Sequence, residues 1–287
     1  MAPTTKAGAA TDAGRRYAKV AHRAADAAAR ITRQYFRRPQ AELGVDTKID
    51  ESPVSIADRE AETAMRDVIL ASCPGHAVYG EEFGLTTTTG GGEEVAPPEY
   101  VWVLDPIDGT KSFITGKPLF GTLIALVKDG EPILGIIDQP ILGERWVGVK
   151  GDETRLNDAP IAVRACGDLD AAYLYATSPH MFAGETEVAF NRLRDRVKVP
   201  LYGCDCYAYG LLAAGHCDVV CEADMRPYDF LALIPVVEGA GGALTDWTGA
   251  PFDRWDPRDV RPREVLATGD ARLHEQALAA LGRSPPS

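Results

Sequence analysis

The spacing of apolar residues in the first part of the chain predicts helices. Residues 12–38 repeat Ala, Val, Ile, Tyr and Phe at helical spacing until Pro39 ends the pattern. Ser55 is a suitable N-cap for a second predicted helix over 56–72. The neighbouring stretches are polar or rich in Thr, Gly and Pro, so we predict a polar connection over 40–54 and a surface loop over 85–99.

The middle of the chain has the pattern of β-strands. Short apolar runs alternate with Asp-Gly and Leu-Gly turns, which is typical of an antiparallel meander. The predicted strands are 100–104, 119–127, 132–137 and 145–149.

After about residue 165 strands and helices alternate, which favours sheets layered with helices. The predicted strands cover 171–176, 199–202, 217–221 and 265–268, with one further short strand, and the predicted helices cover 185–196, 206–214, 229–239 and 271–281. We expect the tail 283–287 to fray. The pattern predicts an α/β fold of two lobes, residues 1–164 and 165–287.

Composition and charge exclude several classes of protein. Of the 287 residues 45% are hydrophobic, which is enough for a large core. Asp and Glu number 42 against 30 Lys and Arg, so the net charge of −12 argues against binding to nucleic acid or to an anionic membrane. No apolar run reaches 18 residues and no apolar signal region stands at the N-terminus, so we expect a cytoplasmic protein without membrane spans.

The six cysteines show neither a C-x-x-C pair nor zinc-site spacing, and we interpret them as reduced thiols. For Cys204 and Cys206, a metal or redox pair is the alternative to ordinary packing.

The strongest chemical signal is the hexapeptide Asp105-Pro106-Ile107-Asp108-Gly109-Thr110, which directly follows a predicted strand. Two carboxylates three residues apart at a strand end can flank a hard cation, and Gly109 lets the backbone approach a ligand closely. A helix that begins near Thr110 would offer free N–H groups to a phosphate. The plain alternative is an Asx-turn closed by Gly109, in which Asp108 caps the next helix.

Three other acidic positions are ambiguous when each is considered alone. Glu81, in a Gly-Glu-Glu loop, would usually be solvated. Asp229 follows Pro-Tyr at the start of an apolar helix and would usually be an N-cap. Asp58 falls in the first turn of the second helix, where a carboxylate favours the helix dipole.

Together, the order and spacing of these motifs resemble the inositol monophosphatase superfamily of magnesium-dependent, lithium-sensitive phosphatases, over nearly the whole chain from Lys48 onward. The resemblance implies a five-layer αβαβα fold, two or three Mg²⁺ ions per site, a small phosphate-ester substrate and a homodimer. It also implies the metal ligands, which are Glu81, Asp105, the backbone carbonyl of Ile107, Asp108 and Asp229.

The same resemblance implies catalytic and phosphate-binding roles. Asp58 and Thr110 correspond to a hydrogen-bonded pair that activates the attacking water, and Glu81 joins them as a catalytic residue. The backbone amides of Gly109 and Thr110 correspond to the pair that holds the phosphate. The chain departs from the superfamily pattern in two places: Tyr228 stands where many members have Trp, and Lys111-Ser112-Phe113 replaces the frequent Thr-Asn-Phe.

Longer stretches are similar to the histidinol-phosphate phosphatases of plants and actinobacteria within this superfamily; they are 102–118, 135–140, 176–180, 202–210 and 227–230. This similarity implies hydrolysis of L-histidinol phosphate to L-histidinol and phosphate in histidine biosynthesis. The ammonium and imidazole of that substrate call for carboxylates in the pocket. Glu222 and Asp205 are the substrate-contact candidates beside Asp229, and His180 is expected to be a surface residue.

Plain alternatives remain open. Asp205 would otherwise be a helix N-cap and Glu222 a surface charge at a strand end. The rival enzyme is an inositol-phosphate or broad sugar-phosphate phosphatase with the same metal chemistry. A different class is a non-catalytic binding protein on this scaffold, although clustered carboxylates without a use are electrostatically unfavourable.

Overall fold

The computed structural model describes residues 6–47, 53–87 and 98–282 of the chain. Within these ranges the helices are α1 (Lys6–Tyr35), α2 (Gln40–Leu43), α3 (Ile56–Ser72), α4 (Thr110–Ile114), α5 (Glu185–Arg194), α6 (Tyr207–Ala213), α7 (Pro227–Phe230), α8 (Leu233–Gly239) and α9 (Ala271–Leu281). Short 3₁₀ turns cover Leu169–Ala171 and Pro179–Met181. In the same ranges, no helix combines the length and the apolar character that crossing a membrane requires.

The strands form one large sheet, one smaller sheet and a short two-stranded pair. In chain order they are β1 (Asp46–Thr47), β2 (Pro53–Val54), β3 (Ala77–Gly80), β4 (Gly84–Thr86), β5 (Tyr100–Asp108), β6 (Gly121–Lys128), β7 (Glu131–Gln139), β8 (Glu144–Val149), β9 (Arg155–Leu156), β10 (Ala159–Pro160), β11 (Tyr173–Ala176), β12 (Val199–Tyr202), β13 (Val219–Met225), β14 (Ala243–Thr245) and β15 (Arg263–Thr268). The larger sheet has the order β10-β9-β8-β7-β6-β5-β3-β4, and the smaller has the order β12-β11-β13-β15-β14.

The larger sheet is covered on both faces. Successive residues of β5 alternate between two cores: Trp102 and Leu104 pack towards α1 and α3, whereas Val101 and Val103 pack towards α6 and α8. Because both faces are buried, β5 is apolar at consecutive positions instead of alternating with polar residues. Small buried residues of α1, such as Ala21 and Ala28, let this helix lie close to the sheet.

Helices α6 and α8 form the layer between the two sheets. The backbone of this layer approaches β7 and β8 so closely that side chains are excluded at two positions. A Cβ atom on Gly135 would lie 1.9 Å from the carbonyl oxygen of Ala232, and one on Gly148 would lie 2.2 Å from that of Pro235. The absence of a side chain at both glycines therefore fixes α8 directly against the larger sheet.

The smaller sheet is closed on its outer face by α5 and α9. Leu174 and Val219 of the sheet pack there with Phe190 of α5 and Leu273 of α9. The order helices, sheet, helices, sheet, helices confirms the predicted five-layer αβαβα arrangement and its α/β class. The predicted boundary between lobes at 164 and 165 stays a prediction.

The predicted meander is confirmed, since β5, β6, β7 and β8 pair antiparallel in sequence order. The predicted helix over 229–239 is wrong as a single element, because it is divided into α7 and α8. Pro235 has no N–H group with which to continue the helical ladder back across the junction.

Several predicted boundaries also differ from the structure. The stretch 40–54 contains α2 and the β1–β2 pair, because Gly44 ends α2 in a left-handed conformation and the chain then extends. The loop predicted over 85–99 begins with β4, which pairs with β3. Strands β5 and β13 run to Asp108 and Met225, beyond the predicted ends at 104 and 221. The stretches 48–52, 88–97 and 283–287 lie outside the described residues.

Protonation of buried His274 should make stability depend on pH. Its ring nitrogens lie 2.9 Å from the hydroxyls of Thr245 and Thr268, and burial lowers its pKa from 6.5 to about 4. Between these two pKa values the unfolded chain binds a proton at this histidine and the folded chain does not. The contribution of neutral His274 to the free energy of unfolding is therefore complete above pH 6.5 and is lost as the pH falls towards 4. The expected loss is up to about 3 kcal/mol, at 1.36 kcal/mol per pKa unit.

Urea unfolding at several pH values tests this expectation. His274→Gln keeps a donor and an acceptor but cannot titrate, so its free energy of unfolding should fall less between pH 6.5 and pH 4 than that of the parent protein. His180→Gln, at an exposed position, is the matched control and should behave like the parent. Equal pH dependence in His274→Gln and the parent would contradict the assignment.

Candidate functional site

Strand β5 places the hexapeptide found in the sequence at the edge of the larger sheet. Its pairing with β6 shifts register between Asp105 and Asp108. Within this irregular stretch the backbone N–H of Ile107 donates to Asp105 Oδ1 at 3.0 Å, and the Ile107 side chain is buried beside Phe113 and Phe120. The local backbone therefore anchors one apolar residue between the two aspartates.

Three aspartates from two distant segments converge at this edge. Asp105, Asp108 and Asp229 each offer a carboxylate oxygen, and these atoms lie within 4.8 Å of one another. Asp229 is the third residue of α7, and its Oδ2 accepts a hydrogen bond at 2.6 Å from the backbone N–H of Arg226, the residue at the N-cap position. The plain interpretation of Asp229 as the N-cap is therefore wrong in position, although its carboxylate does bond to the start of the helix.

Glu81 joins this group because of strand direction. Strands β3 and β5 are parallel neighbours, so their carboxyl ends reach the same edge of the sheet. The backbone N–H of Glu81 donates to the carbonyl of Leu104 at 3.1 Å, and its side chain is hydrogen-bonded to Asp105. The predicted solvated loop glutamate is therefore not what the structure shows.

A residue that sequence reasoning missed holds the turn that carries Glu81. The buried carboxylate of Glu62 accepts hydrogen bonds from the backbone N–H groups of Glu82 and Phe83, at 2.7 and 3.3 Å, and pairs with Arg66 at 2.7 Å. A Cβ atom on Gly80 would lie 2.0 Å from the same carboxylate. The only signal in the sequence was the i, i+4 spacing of Glu62 and Arg66 on α3, which is common on solvated helices.

The electrostatics of the aspartate cluster call for positive charge. Burial raises the pKa of Asp105 well above its usual range, and repulsion from Glu81 and Asp108 adds to the rise. Burial also raises the pKa of Asp108, and repulsion from Asp205 and Asp229 adds to the rise. The pKa of Asp229 is raised mainly by burial and next by repulsion from Glu81. Carboxylate and carbonyl oxygens are the donors that hard cations prefer, so this cluster fits such a cation.

Gly109 and Thr110 turn the chain from β5 into α4. Gly109 has φ 89°, and a Cβ atom there would lie 2.8 Å from a carboxylate oxygen of Asp205, so both conformation and space require glycine. Gly109 occupies the N-cap position of α4, and Asp108 Oδ2 accepts from the backbone N–H of Cys206 instead. The alternative in which Asp108 caps the next helix is therefore wrong.

The structure brings Asp58 and Thr110 together. The Thr110 hydroxyl lies 3.4 Å from Asp58 Oδ1 and 3.1 Å from the carbonyl oxygen of Ile107. The other oxygen of Asp58 accepts from the backbone N–H and the hydroxyl of Ser55, at 2.8 and 2.5 Å, which fixes the carboxylate in the first turn of α3 as predicted. Burial raises the pKa of Asp58 to about 7.

One cavity of about 290 Å³ connects this cluster to the predicted substrate contacts. Its walls include Glu81, Asp108, Gly109, Thr110, Asp205, Glu222 and Asp229. Near Glu222 the pairing of β13 with β15 shifts register, Asp224 adopts φ 61°, and Ala223, Asp224 and Met225 also line the cavity. His180 is exposed, as expected, whereas its neighbour Met181 reaches the cavity wall.

Glu222 is buried within the smaller sheet and is not a surface charge, so the plain interpretation is wrong. Only 2% of the residue is exposed, and burial raises its pKa to about 7. Its Oε1 accepts from the backbone N–H of Thr177 at 2.9 Å and its Oε2 from the hydroxyl of Tyr209 at 3.0 Å. Tyr209 falls in a stretch singled out by the sequence, but no chemical role was predicted for it.

Asp205 forms another wall of the cavity. It has φ 47° and stands before Cys206, which occupies the N-cap position of α6, so the N-cap interpretation of Asp205 is wrong. Its Oδ2 accepts from the Ser112 hydroxyl at 3.1 Å, and its side chain is also hydrogen-bonded to Thr177. Burial is the main cause that raises the pKa of Asp205, while Ser112 and the nearby lysines act in the opposite direction.

The six cysteines are free thiols, and five of them are buried. Burial raises the pKa of Cys204 to about 11 and that of Cys206 well above its usual range. A thiol with a raised pKa is a poor nucleophile, and among the described residues neither cysteine belongs to a group that could hold a metal, so the structure favours ordinary packing over a metal or redox pair.

Known proteins share both the sequence and the architecture of this chain. The model of the inositol monophosphatase family matches residues 14–285. The bifunctional phosphatase IMPL2, chloroplastic, of Arabidopsis thaliana is 55% identical over 93% of this chain and 75% of its own length. A histidinol-phosphatase of Chlorobaculum parvum is 34% identical over 90% of this chain and 93% of its own.

A solved structure of an inositol monophosphatase from Zymomonas mobilis superimposes with a TM-score of 0.79 at 48% identity. The superposition covers 92% of this chain and 97% of the Zymomonas mobilis chain. Because the family model spans nearly the whole chain, including every residue of the aspartate cluster, the assignment does not rest on one motif. The chain belongs to the inositol monophosphatase family.

Proposed function

We propose that this chain hydrolyses L-histidinol phosphate to L-histidinol and phosphate, in a Mg²⁺-dependent reaction that serves histidine biosynthesis. The observation that carries the proposal is the presence of two further carboxylates, the half-buried Asp205 and the buried Glu222, in the same cavity as the aspartate cluster. They add negative charge on the side of the cavity where the alcohol part of a substrate would lie. An alcohol that carries positive charge suits such a wall better than a neutral polyol does.

The charges of Asp205 and Glu222 are held by fixed donors. Each carboxylate accepts hydrogen bonds from protein groups, and Thr177 contributes to both of them. Hydrogen bonds to the ionised form favour that form against the effect of burial. An ammonium group in the cavity would favour it further, so binding of a cationic alcohol and ionisation of these groups support each other.

The names of relatives support the same substrate. Three of the similar proteins are called histidinol-phosphatases, in Chlorobaculum parvum, Mycobacterium tuberculosis and Streptomyces coelicolor. Other relatives are called inositol-1-monophosphatases, which keeps inositol 1-phosphate as the second candidate substrate. The two candidates share the phosphate side of the cavity and differ on the side of Asp205 and Glu222.

The cluster residues would hold the metal. We propose that Mg²⁺ is bound by Glu81, Asp105, Asp108 and Asp229 with the backbone carbonyl of Ile107, and two or three ions per site remain a prediction. When bound, Mg²⁺ supplies neutralisation of phosphate charge and a more acidic water. The mutual repulsion of these carboxylates, of which Asp105 is buried and the others are half-buried, is the observation that supports such a cation.

Residues around the cluster would position the ester and the attacking water. The backbone amides of Gly109 and Thr110 lie where the chain enters α4, and we propose that they hold the phosphate oxygens. The Thr110 hydroxyl would accept a hydrogen bond from the water and pass a proton towards Asp58 Oδ1. Because Ser55 occupies the other oxygen of Asp58, Oδ1 is the atom that would take the proton.

Assembly and location remain predictions of the sequence. We propose a homodimer in the cytoplasm, with no nucleic-acid or membrane partner; the Arabidopsis relative is named as a chloroplastic protein.

Replacing Asp105 by Asn should abolish turnover and preserve the fold. The substitution removes a buried charge that Glu81 and Asp108 repel, so without Mg²⁺ the variant should be at least as stable as the parent. We expect kcat at saturating Mg²⁺ to fall by about 10³-fold or more. Steady-state assays and thermal unfolding measure the two effects.

Added Mg²⁺ provides the control for this variant. Binding to the folded state should raise the melting temperature of the parent and should raise that of Asp105→Asn much less. A variant that keeps substantial kcat, or the same Mg²⁺-induced shift as the parent, would count against Asp105 as a ligand.

The choice between the two substrates rests on a direct comparison. With purified protein and Mg²⁺, kcat/KM for L-histidinol phosphate should exceed that for inositol 1-phosphate by at least about tenfold, as one well-placed charged contact allows. Comparable values would support a broad phosphatase. Failure to hydrolyse any phosphomonoester would support the non-catalytic alternative.

Replacing Glu222 by Gln should weaken substrate binding more than it slows the reaction. The amide keeps the size of the side chain but loses the charge that faces the alcohol, so KM for L-histidinol phosphate should rise about tenfold while kcat changes less. Glu144→Gln is a matched control, because Glu144 bonds to Tyr207 and does not line the cavity. An unchanged KM in Glu222→Gln would remove this residue from substrate recognition.

A further inference from the structure

Helix α6 carries two tyrosines whose hydroxyls meet different carboxylates. Tyr209 is fully buried and donates to Glu222 Oε2 at 3.0 Å. Tyr207 donates to Glu144 Oε2 at 2.6 Å, away from the cavity. Only the first of these hydrogen bonds reaches a residue of the cavity wall.

Glu222 has few ways to stay in place without Tyr209. Its two carboxylate oxygens are held from two directions, by Thr177 at the end of β11 and by Tyr209 on α6. With both donors present, the plane of the carboxylate is fixed relative to the smaller sheet and to the central helix layer. Without the Tyr209 hydroxyl, Thr177 alone would restrain rotation about the terminal torsion of Glu222, and that torsion is intrinsically broad.

We propose that Tyr209 is a positioning residue that sets substrate preference by fixing the Glu222 carboxylate towards the alcohol part of the substrate. Tyr209 does not line the cavity and so would not touch the substrate itself. The identity of the preferred alcohol in this proposal rests on the proposed function. The dependence of the Glu222 position on Tyr209 is independent of the proposed function.

The geometry explains why a tyrosine suits this position. Tyr209 packs in the apolar core between the two sheets, and the hydroxyl at the far end of its ring reaches the buried carboxylate. Gly210 beside it lies against the ring of Trp146, where a Cβ atom would approach to 2.8 Å, so glycine lets α6 pack closely against the larger sheet at this point. The packing of α6, the rigid ring of Tyr209 and its hydroxyl thus connect the larger sheet to Glu222 in the cavity wall.

Tyr209→Phe removes only the hydroxyl and tests the proposal. We expect KM for L-histidinol phosphate to rise about fivefold to tenfold, kcat to stay within about twofold and KM for inositol 1-phosphate to change little. Tyr207→Phe, two positions earlier on the same helix, should leave all these constants unchanged. Melting temperatures of both variants report whether the fold is retained.

A double-mutant cycle separates positioning from general structural damage. If Tyr209 acts through Glu222, Tyr209→Phe should raise KM in the parent but have little further effect in Glu222→Gln. Additive effects on KM, or an equal loss of kcat/KM for both substrates, would overturn the proposal. A crystal structure of Tyr209→Phe should show the Glu222 carboxylate rotated, and an unmoved carboxylate would overturn it as well.

The same experiment distinguishes failure of the proposed function. If the parent hydrolyses both substrates equally well, the histidinol assignment is wrong. A rise in KM that appears in Tyr209→Phe and disappears in the Glu222→Gln background would still support Tyr209 as a positioning residue, for whichever phosphomonoester the parent turns over.

Discussion

The burial of like charges at one sheet edge is the constraint on which the rest of the structure depends. Asp105, Asp108 and Asp229 are held close together in a region where burial and mutual repulsion both oppose ionisation. Such a group persists only if the surrounding structure over-determines its position. Strand β5 fixes the position of Asp105 and Asp108 at its carboxyl end. It is an interior strand of the larger sheet, and helices cover both of its faces.

The same constraint explains several contacts that have no chemical role of their own. Glu62 fixes the turn that carries Glu81, and Ser55 fixes one oxygen of Asp58. Gly109 gives Asp205 the space to approach the end of β5. Each of these groups restricts a side chain that the cavity uses, so the supporting residues matter for the geometry of the site as much as those that line it.

The sequence predicted the parts of this arrangement that are local. The hexapeptide of β5, the first-turn position of Asp58 and the antiparallel meander follow from turn chemistry and periodicity over a few residues. The burial of Glu222 and its hydrogen bond to Tyr209 depend on the packing of α6 between two sheets, which no short pattern contains. The division of 229–239 into two helices likewise reflects Pro235 and the close approach of α8 to Gly135 and Gly148. The grouping of Asp105 and Asp108 with the distant Asp229 followed from the resemblance to a family, because local secondary-structure propensity contains no information about distant residues.

The two ends of the cavity are built from different layers. The hexapeptide and Glu81 lie in or directly after strands of the larger sheet, whereas Glu222 lies in the smaller sheet, Thr177 adjoins it, and Tyr209 belongs to the helices between. Substitutions in the second group can therefore change the preferred alcohol while the residues proposed to carry out hydrolysis stay unchanged. This separation gives a physical reason why one scaffold can support enzymes with different specificities. It also makes the part of the cavity wall around Glu222 the place to begin directed evolution.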